Sequence, residues 1–378
     1  VSLIYNDDQV QLQDSAHDFL AARSPVSVQR ALRDAGSQQG FEPQVWQGMV
    51  EMGWSAVAFA EEQGGLDFGF AGFAPVFEQI GRHLSASPLL SSVVLCGSLI
   101  ERLGNVQQQE TLLPGLISGE QRYALAIDEG ARHQPQRCDA VAIKDSDGYR
   151  LNGRKRWVSD GVGADGWLVV ARLENGQRGV FLLPNNVHGI QVASRSMIDS
   201  RNTAELIMDN VCVPVSAMLD AGDTEAVLDW ALDRGRACLA AEMLGMCEVV
   251  FEMTLEYLKT RVQFDAPIGS FQALQHRAAR LYVQVQLARS AVMAAFECLD
   301  RDSCTPQQRR RLVSLAKWKA NQAAQLISNE AVQMHGGIGV TDEFDLGLYL
   351  KRIRIAQAQL GHSELHVSRY AEARLQVQ

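Results

Sequence analysis

Residues 139–158 read DAVAIKDSDGYRLNGRKRWV. Strand formers lie on both sides of Asp145–Ser146–Asp147–Gly148, a cluster of turn formers. That pattern predicts a β-hairpin. Working outward, YALAID (123–128), GWLVVARLE (166–174), GVFLLP (179–184) and AELIMDNVCV (204–213) are also short and rich in Val, Ile and Leu, with Gly, Asn and Asp between them. Together they predict a central antiparallel β domain over residues 123–222.

The flanks have a different period. DDQVQLQDSAHDFLAAR (7–23), PQVWQGMVEMGW (43–54), GFAPVFEQIGRHLS (72–85) and SSVVLCGSLIERLG (91–104) place apolar residues at helical spacing. The paired glycines of FAEEQGGLDFG (59–69) interrupt them as a loop. After the β region come long helical patterns over 225–261, 274–300 and 306–337. The fold class expected is therefore α+β: an N-terminal helical domain (1–122), the β domain, and a C-terminal four-helix bundle (223–378).

Length and composition narrow the function. A chain of 378 residues, 47% hydrophobic and 21% charged, has the makings of a globular core. A net charge of −9 argues against nucleic acid as a partner. Arg309–Arg310–Arg311 reads as a solvated helix face. The seven cysteines include no CxxC pair, so neither a metal site nor a disulfide framework is expected, and most should be small buried hydrophobes. The acidic, amphipathic N-terminal stretch does not have the pattern of a signal peptide, and no apolar run is long enough to span a bilayer. A cytoplasmic location follows as the default expectation.

Several motifs have plain structural readings. Trp157 fits a half-buried strand, Asp128 a solvated loop, and Arg261 a helix end favoured by the helix dipole. Gly336 and Gly337 fit a C-terminal helix cap that needs a positive φ. In order and spacing, however, EEQGGLDFG (61–69), NGRKRWVSDGVGADGWLVVAR (152–172), AELIMDNVCVP (204–214), RVQFDAPIGSFQALQHR (261–277) and VQMHGGIGV (332–340) resemble the acyl-CoA dehydrogenases along nearly the whole chain.

The resemblance implies FAD as cofactor and an acyl-CoA thioester as substrate. Trp157 would lie against the isoalloxazine, and Ser159 would offer a hydroxyl or N–H near flavin N5 and O4. Asp128 stands where the family has threonine, within reach of flavin N3–H, and Gly130 replaces a proline. Arg261 would reach the pyrophosphate, with Gln263, Phe264, Phe271 and Gln272 along the adenosine; Asp265 stands where the family has glycine. Gln333, His335, Gly336 and Gly337 would cross a dimer interface to the neighbouring subunit's FAD. Arg236, Leu360 and Gly361 match positions at the thioester.

The family reaction needs a carboxylate beside the substrate α-carbon. Its two usual positions are occupied here by Leu360, in AQLGHSEL (358–365), and by Gly235, before Arg236. Asp233 points roughly 200° away from Gly235 on a helix, and Glu242 lies about 10 Å along it. His362 and Glu364 follow the turn and should face the adenine end. No catalytic base can therefore be named. The Leu360 N–H could still polarise a thioester.

Bacterial branches acting on steroid side-chain thioesters form α2β2 tetramers in which one subunit lacks the carboxylate. GSFQALQHR and LYLKRIRIAQAQLGHSELH resemble those branches. The expectation is a base-lacking subunit with a homologous partner, passing electrons to an electron-transfer flavoprotein. The alternatives are a self-sufficient homotetramer with an unusual base, and a non-catalytic homologue that binds acyl-CoA or a partner protein.

Overall fold

A computed structural model of the protein describes residues 4–301 and 303–375. The first three residues of the amphipathic N-terminal stretch lie outside these. In chain order the helices are α1 (Asp7–Arg23), α2 (Val26–Asp34), α3 (Pro43–Glu51), α4 (Phe73–His83), α5 (Ser98–Leu103) and α6 (Val106–Ile117). Strands β1 (Tyr123–Ala126), β2 (Val141–Lys144), β3 (Gly148–Ser159), β4 (Gly166–Arg172), β5 (Arg178–Pro184), β6 (Ile190–Ser194), β7 (Thr203–Pro214) and β8 (Met218–Leu219) follow. Then come α7 (Thr224–Thr260), a small hairpin of β9 (Val262–Gln263) and β10 (Ala266–Pro267), α8 (Gln272–Leu299), α9 (Pro306–His335), α10 (Leu346–Ala358) and α11 (Ser363–Leu375). The order of helices, sheet and helical bundle is the one expected. Among the described residues the bundle region carries five helices, three long and two short.

The chain forms two compact units. One comprises Ala31–Gly69 and Ala86–Gly235; the other comprises the chain up to Arg30, Phe70–Ser85 and the chain from Arg236.

The first unit is built on an eight-stranded sheet in the order β6-β7-β3-β2-β4-β5-β8, with β1 also paired to β4. The DSDG hairpin is present: Lys144 pairs with Tyr149, and Asp145 N–H donates to the Gly148 carbonyl at 2.8 Å. The sheet is mixed where an antiparallel one was expected. β1 runs parallel to β4 over Tyr123–Ala126, and Val141 of β2 meets Arg172 in the same sense. Residues 127–140 make a loop instead of a hairpin, so β1 and β2 reach β4 running in the same direction. Leu151, Val158, Trp167, Val169, Phe181, Leu183, Leu206 and Val211 fill the core beneath the sheet. Each large apolar side chain buried there contributes roughly 1.5–3 kcal/mol.

In the second unit two helices, α1 and α9, begin on side-chain caps. Asn6 accepts from Gln9 N–H at 2.8 Å and Thr305 from Gln308 N–H at 3.2 Å, each with the reciprocal bond of a capping box. Helices α4 and α7 meet backbone to backbone. A Cβ on Gly81 would overlap the Glu242 carbonyl, and one on Gly245 would overlap the Glu78 carbonyl. This close approach fixes the stretch of α7 that carries Arg236 and Glu242.

Cys96, Cys238 and Cys247 are buried, as expected of small apolar side chains. Cys298 and Cys304 lie near each other, with Cα atoms 5.5 Å apart, because the short α8–α9 connection brings Cys304 back beside the end of α8. Among the described residues, no helix is long and apolar enough to cross a membrane, and no group of three or more His, Cys, Asp or Glu could hold a metal ion.

Gly245→Val forces α4 and α7 apart. A loss of roughly 1–3 kcal/mol is expected, read as a lower urea midpoint. An unchanged midpoint would contradict the close packing.

Candidate functional site

In the sheet unit the site starts from a break in strand register. The β3–β7 pairing slips between Lys155 and Val158, so Arg156 and Trp157 bulge out. Trp157 takes φ +55°, a conformation costly for a bulky residue and concentrated at functional sites. The bulge turns the indole outward, leaving it 43% exposed, and its N–H donates to the Gly130 carbonyl at 2.9 Å. Ser159, half-buried, follows at the end of the same strand.

The loop after β1 holds this strand in place. Lys155 is fully buried and donates to Glu129 at 2.6 Å and to the Ile127 carbonyl at 3.3 Å. Glu129 also accepts the N–H groups of Asp139 and Ala140, at 2.5 and 3.0 Å. Arg156 N–H donates to the Asp128 carbonyl at 2.7 Å. The Asp128 carboxylate lies 2.8 Å from His133 Nδ1 and accepts Gln134 N–H at 3.2 Å. Its charge is thus engaged within the loop.

Behind the bulge, the buried Glu205 of β7 gathers the guanidinium groups of Arg154, Arg156 and Arg195. Arg154 leads in pulling its carboxyl down to about 2, and Arg195 assists. Glu129, Lys155 and Glu205 are framework residues the sequence reading missed. Their inward parity on strands or their place beside Asp128 was the available signal.

In the helical unit, α7 ends at the β9–β10 hairpin. Its two turn residues, Phe264 and Asp265, have φ of +54° and +62°. Aspartate tolerates this left-handed conformation better than most residues, which explains how Asp265 can stand where glycine was expected. Phe264 is 90% exposed and meets Phe271 edge to face, with ring centroids 6.3 Å apart. Arg261, Gln263 and Gln272 are exposed alongside them in sequence.

One turn before Arg261, Tyr257 stacks on His335 at 4.5 Å. His335 is buried between Tyr257 and Phe344, its Nδ1 2.8 Å from the Ala331 carbonyl, and burial lowers its pKa. The 333–337 segment therefore presents Gln333 and the bare backbone of Gly336 and Gly337 outward. Gly336, at φ +61°, caps α9, and a Cβ on either glycine would meet open space.

The third cluster lies at the end of α10, again in the helical unit. Leu360, at the position where the family resemblance leads one to expect a base, is a buried apolar side chain at φ +56°. Fully buried Arg236 donates from Nε to the Leu360 carbonyl at 3.1 Å. Glu242 is committed elsewhere: both its oxygens bind buried Arg352, at 2.7 and 2.9 Å. Asp233 is wholly buried, and Glu364 is exposed in the first turn of α11.

A fixed indole with an open face, next to a serine, suits a flat conjugated ring. An exposed guanidinium beside two exposed aromatics suits a phosphate joined to a purine. Each donor set, in its own unit, suits one part of a flavin dinucleotide.

Comparison with known proteins agrees. The family models "Acyl-CoA dehydrogenase, N-terminal domain" and "Acyl-CoA dehydrogenase, C-terminal domain" match residues 6–120 and 226–375. Mitochondrial isovaleryl-CoA dehydrogenase of Arabidopsis thaliana is 30% identical over 96% of this chain and 90% of its own. The ChsE4–ChsE5 complex of Mycobacterium tuberculosis gives a TM-score of 0.89 at 26% identity, covering 98% of each chain. A variant of the Tcur3481–Tcur3483 steroid ACAD gives 0.87 at 27%, also covering 98% of each. The chain belongs to the acyl-CoA dehydrogenase family. It is an oxidoreductase acting on CH–CH groups, and its family's cofactor is FAD.

Glu205 titrates at about 2 in the folded protein, below the ordinary carboxylate value of 4.5. The lowered value means that its contribution to stability is present above pH 4.5 and lost as pH falls toward 2. The urea midpoints of wild type and Glu205→Gln should differ at pH 6 and converge as pH falls from 4.5 toward 2. A gap that persists at the acid end would count against this role.

Proposed function

We propose that this chain is the carboxylate-lacking subunit of a two-subunit acyl-CoA dehydrogenase. The observation that carries the reading is the turn at Leu360. A buried leucine occupies one position of the base, Gly235 occupies the other, and the Glu242 carboxylate is bound at both oxygens by Arg352. Proton removal from the substrate α-carbon therefore belongs to a partner chain. The likeness to the ChsE4–ChsE5 complex and to the paired Tcur3481–Tcur3483 steroid ACAD supports this reading.

FAD, when bound, supplies the hydride acceptor. This chain's residues hold and orient. Arg261 meets the pyrophosphate, Phe264 and Phe271 flank the adenosine with Gln263 and Gln272, and Gln333 with the Gly336–Gly337 backbone completes the grip. These groups are exposed, which suits a dinucleotide presented by a neighbouring subunit. Trp157 covers the isoalloxazine and Ser159 donates beside it. Asp128 acts by shaping the loop. By the same resemblance the assembly is a tetramer, with an electron-transfer flavoprotein taking the electrons, and its substrate class is a bulky, steroid-like acyl thioester; the cytoplasmic location stands as the default expectation from the sequence.

Co-expression with a homologous carboxylate-bearing chain tests this. The co-purified complex should bleach its flavin absorbance when given acyl-CoA anaerobically, whereas this chain alone, reconstituted with FAD, should not. Full bleaching by the chain alone would sink the proposal.

A further inference from the structure

Helix α9 carries a lysine, Lys317, whose side chain is completely buried. Its Nζ lies 2.9 Å from the Ala356 carbonyl, 3.5 Å from Gln357 O, 3.3 Å from Gly361 O and 3.0 Å from Asn321 Oδ1. Three of these four acceptors are carbonyls of the last turn of α10 and the turn that follows. Arg236 adds the Leu360 carbonyl. A helix end leaves such carbonyls without intrahelical partners, and here two buried cations take them up.

The amides of the same turn behave differently. Gln359 N–H donates to Ile355 O at 2.9 Å and Gly361 N–H to Ala358 O at 3.2 Å. Between them the Leu360 N–H has no acceptor among the described residues, although Leu360 is only 7% exposed. A backbone amide in a residue this buried is rarely left without a partner. This one sits in a left-handed residue, with the carbonyls on its C-terminal side held by Arg236 and Lys317. Its direction is therefore fixed before any ligand arrives, the condition under which a hydrogen-bond donor to a polarised oxygen is most effective.

We propose that Lys317 is a positioning residue. By holding the Ala356 and Gly361 carbonyls, it aims the Leu360 N–H at the carbonyl oxygen of an acyl thioester, which this chain binds without removing its α-proton. That the ligand is a thioester rests on the function proposed above; the role of Lys317 rests on the clamp geometry. Asn321, one turn along α9, anchors the ammonium from behind.

The test is the carbonyl stretch of acyl-CoA labelled with 13C at the thioester carbon, bound to the full chain and followed by isotope-edited infrared spectroscopy. Wild type should lower the stretch relative to free acyl-CoA. Lys317→Met should remain folded by circular dichroism, lose that lowering, and bind about five- to tenfold more weakly, the scale of one hydrogen bond. Lys317→Arg should recover part of the shift. Should Lys317→Met not fold, Asn321→Ala should reduce the shift instead. A folded Lys317→Met with an undiminished shift, or a full shift in Asn321→Ala when Lys317→Met does not fold, overturns the assignment and leaves the proposed function standing. Failure of wild type to bind acyl-CoA overturns both.

Discussion

Buried positive charge at the end of α10 is the constraint on which the rest of the site depends. Lys317, Arg236 and Arg352 are all buried within one helical unit. Desolvating three cations costs several kcal/mol each unless hydrogen bonds and counter-charge offset it. Glu242 neutralises Arg352, and backbone carbonyls take up Lys317 and Arg236. Burial together with Arg236 and Arg352 pushes the Lys317 pKa well down, opposed by Glu242. The turn at 359–361 is therefore held by charge-assisted bonds to its backbone, and the side chain at position 360 is free to be apolar.

The sheet unit follows the same logic. A strained backbone residue, Trp157, is held by a buried pair, Lys155 with Glu129, and by Glu205 gathering arginines from β3 and beside β6. Removing one member of such a pair leaves an uncompensated buried charge, so these groups brace the bulge more firmly than surface ion pairs would. Around Trp157 and around the Leu360 backbone, buried ionic groups act as supports.

Much of this was legible in the chain. The DSDG hairpin, the long helices and the glycine cap of α9 follow from local chemistry and were found where expected. β6 escaped because Ile190–Ser194 is a sheet-edge strand with no buried face, so its residues do not alternate cleanly. The parallel pairings of β4 are decided by the 127–140 loop, whose length carries no direction in sequence. His335 reads as an outward-facing polar residue beside two glycines; only packing between Tyr257 and Phe344 turns it inward. Glu129 and Lys155 look like ordinary surface charges until pleat and loop bring them together. The leucine at position 360 is plain in the sequence, but not that Arg236 and Lys317 hold the backbone around it.

The central claim is that this polypeptide binds an acyl thioester and has no group to take its α-proton. Exchange of the substrate α-hydrogen with solvent deuterium, catalysed by the chain alone and followed by mass spectrometry, tests it most directly. The account predicts no exchange above the uncatalysed rate for wild type, and measurable exchange for Leu360→Glu, which restores a carboxylate to a turn already in position. Exchange by the wild-type chain would contradict it.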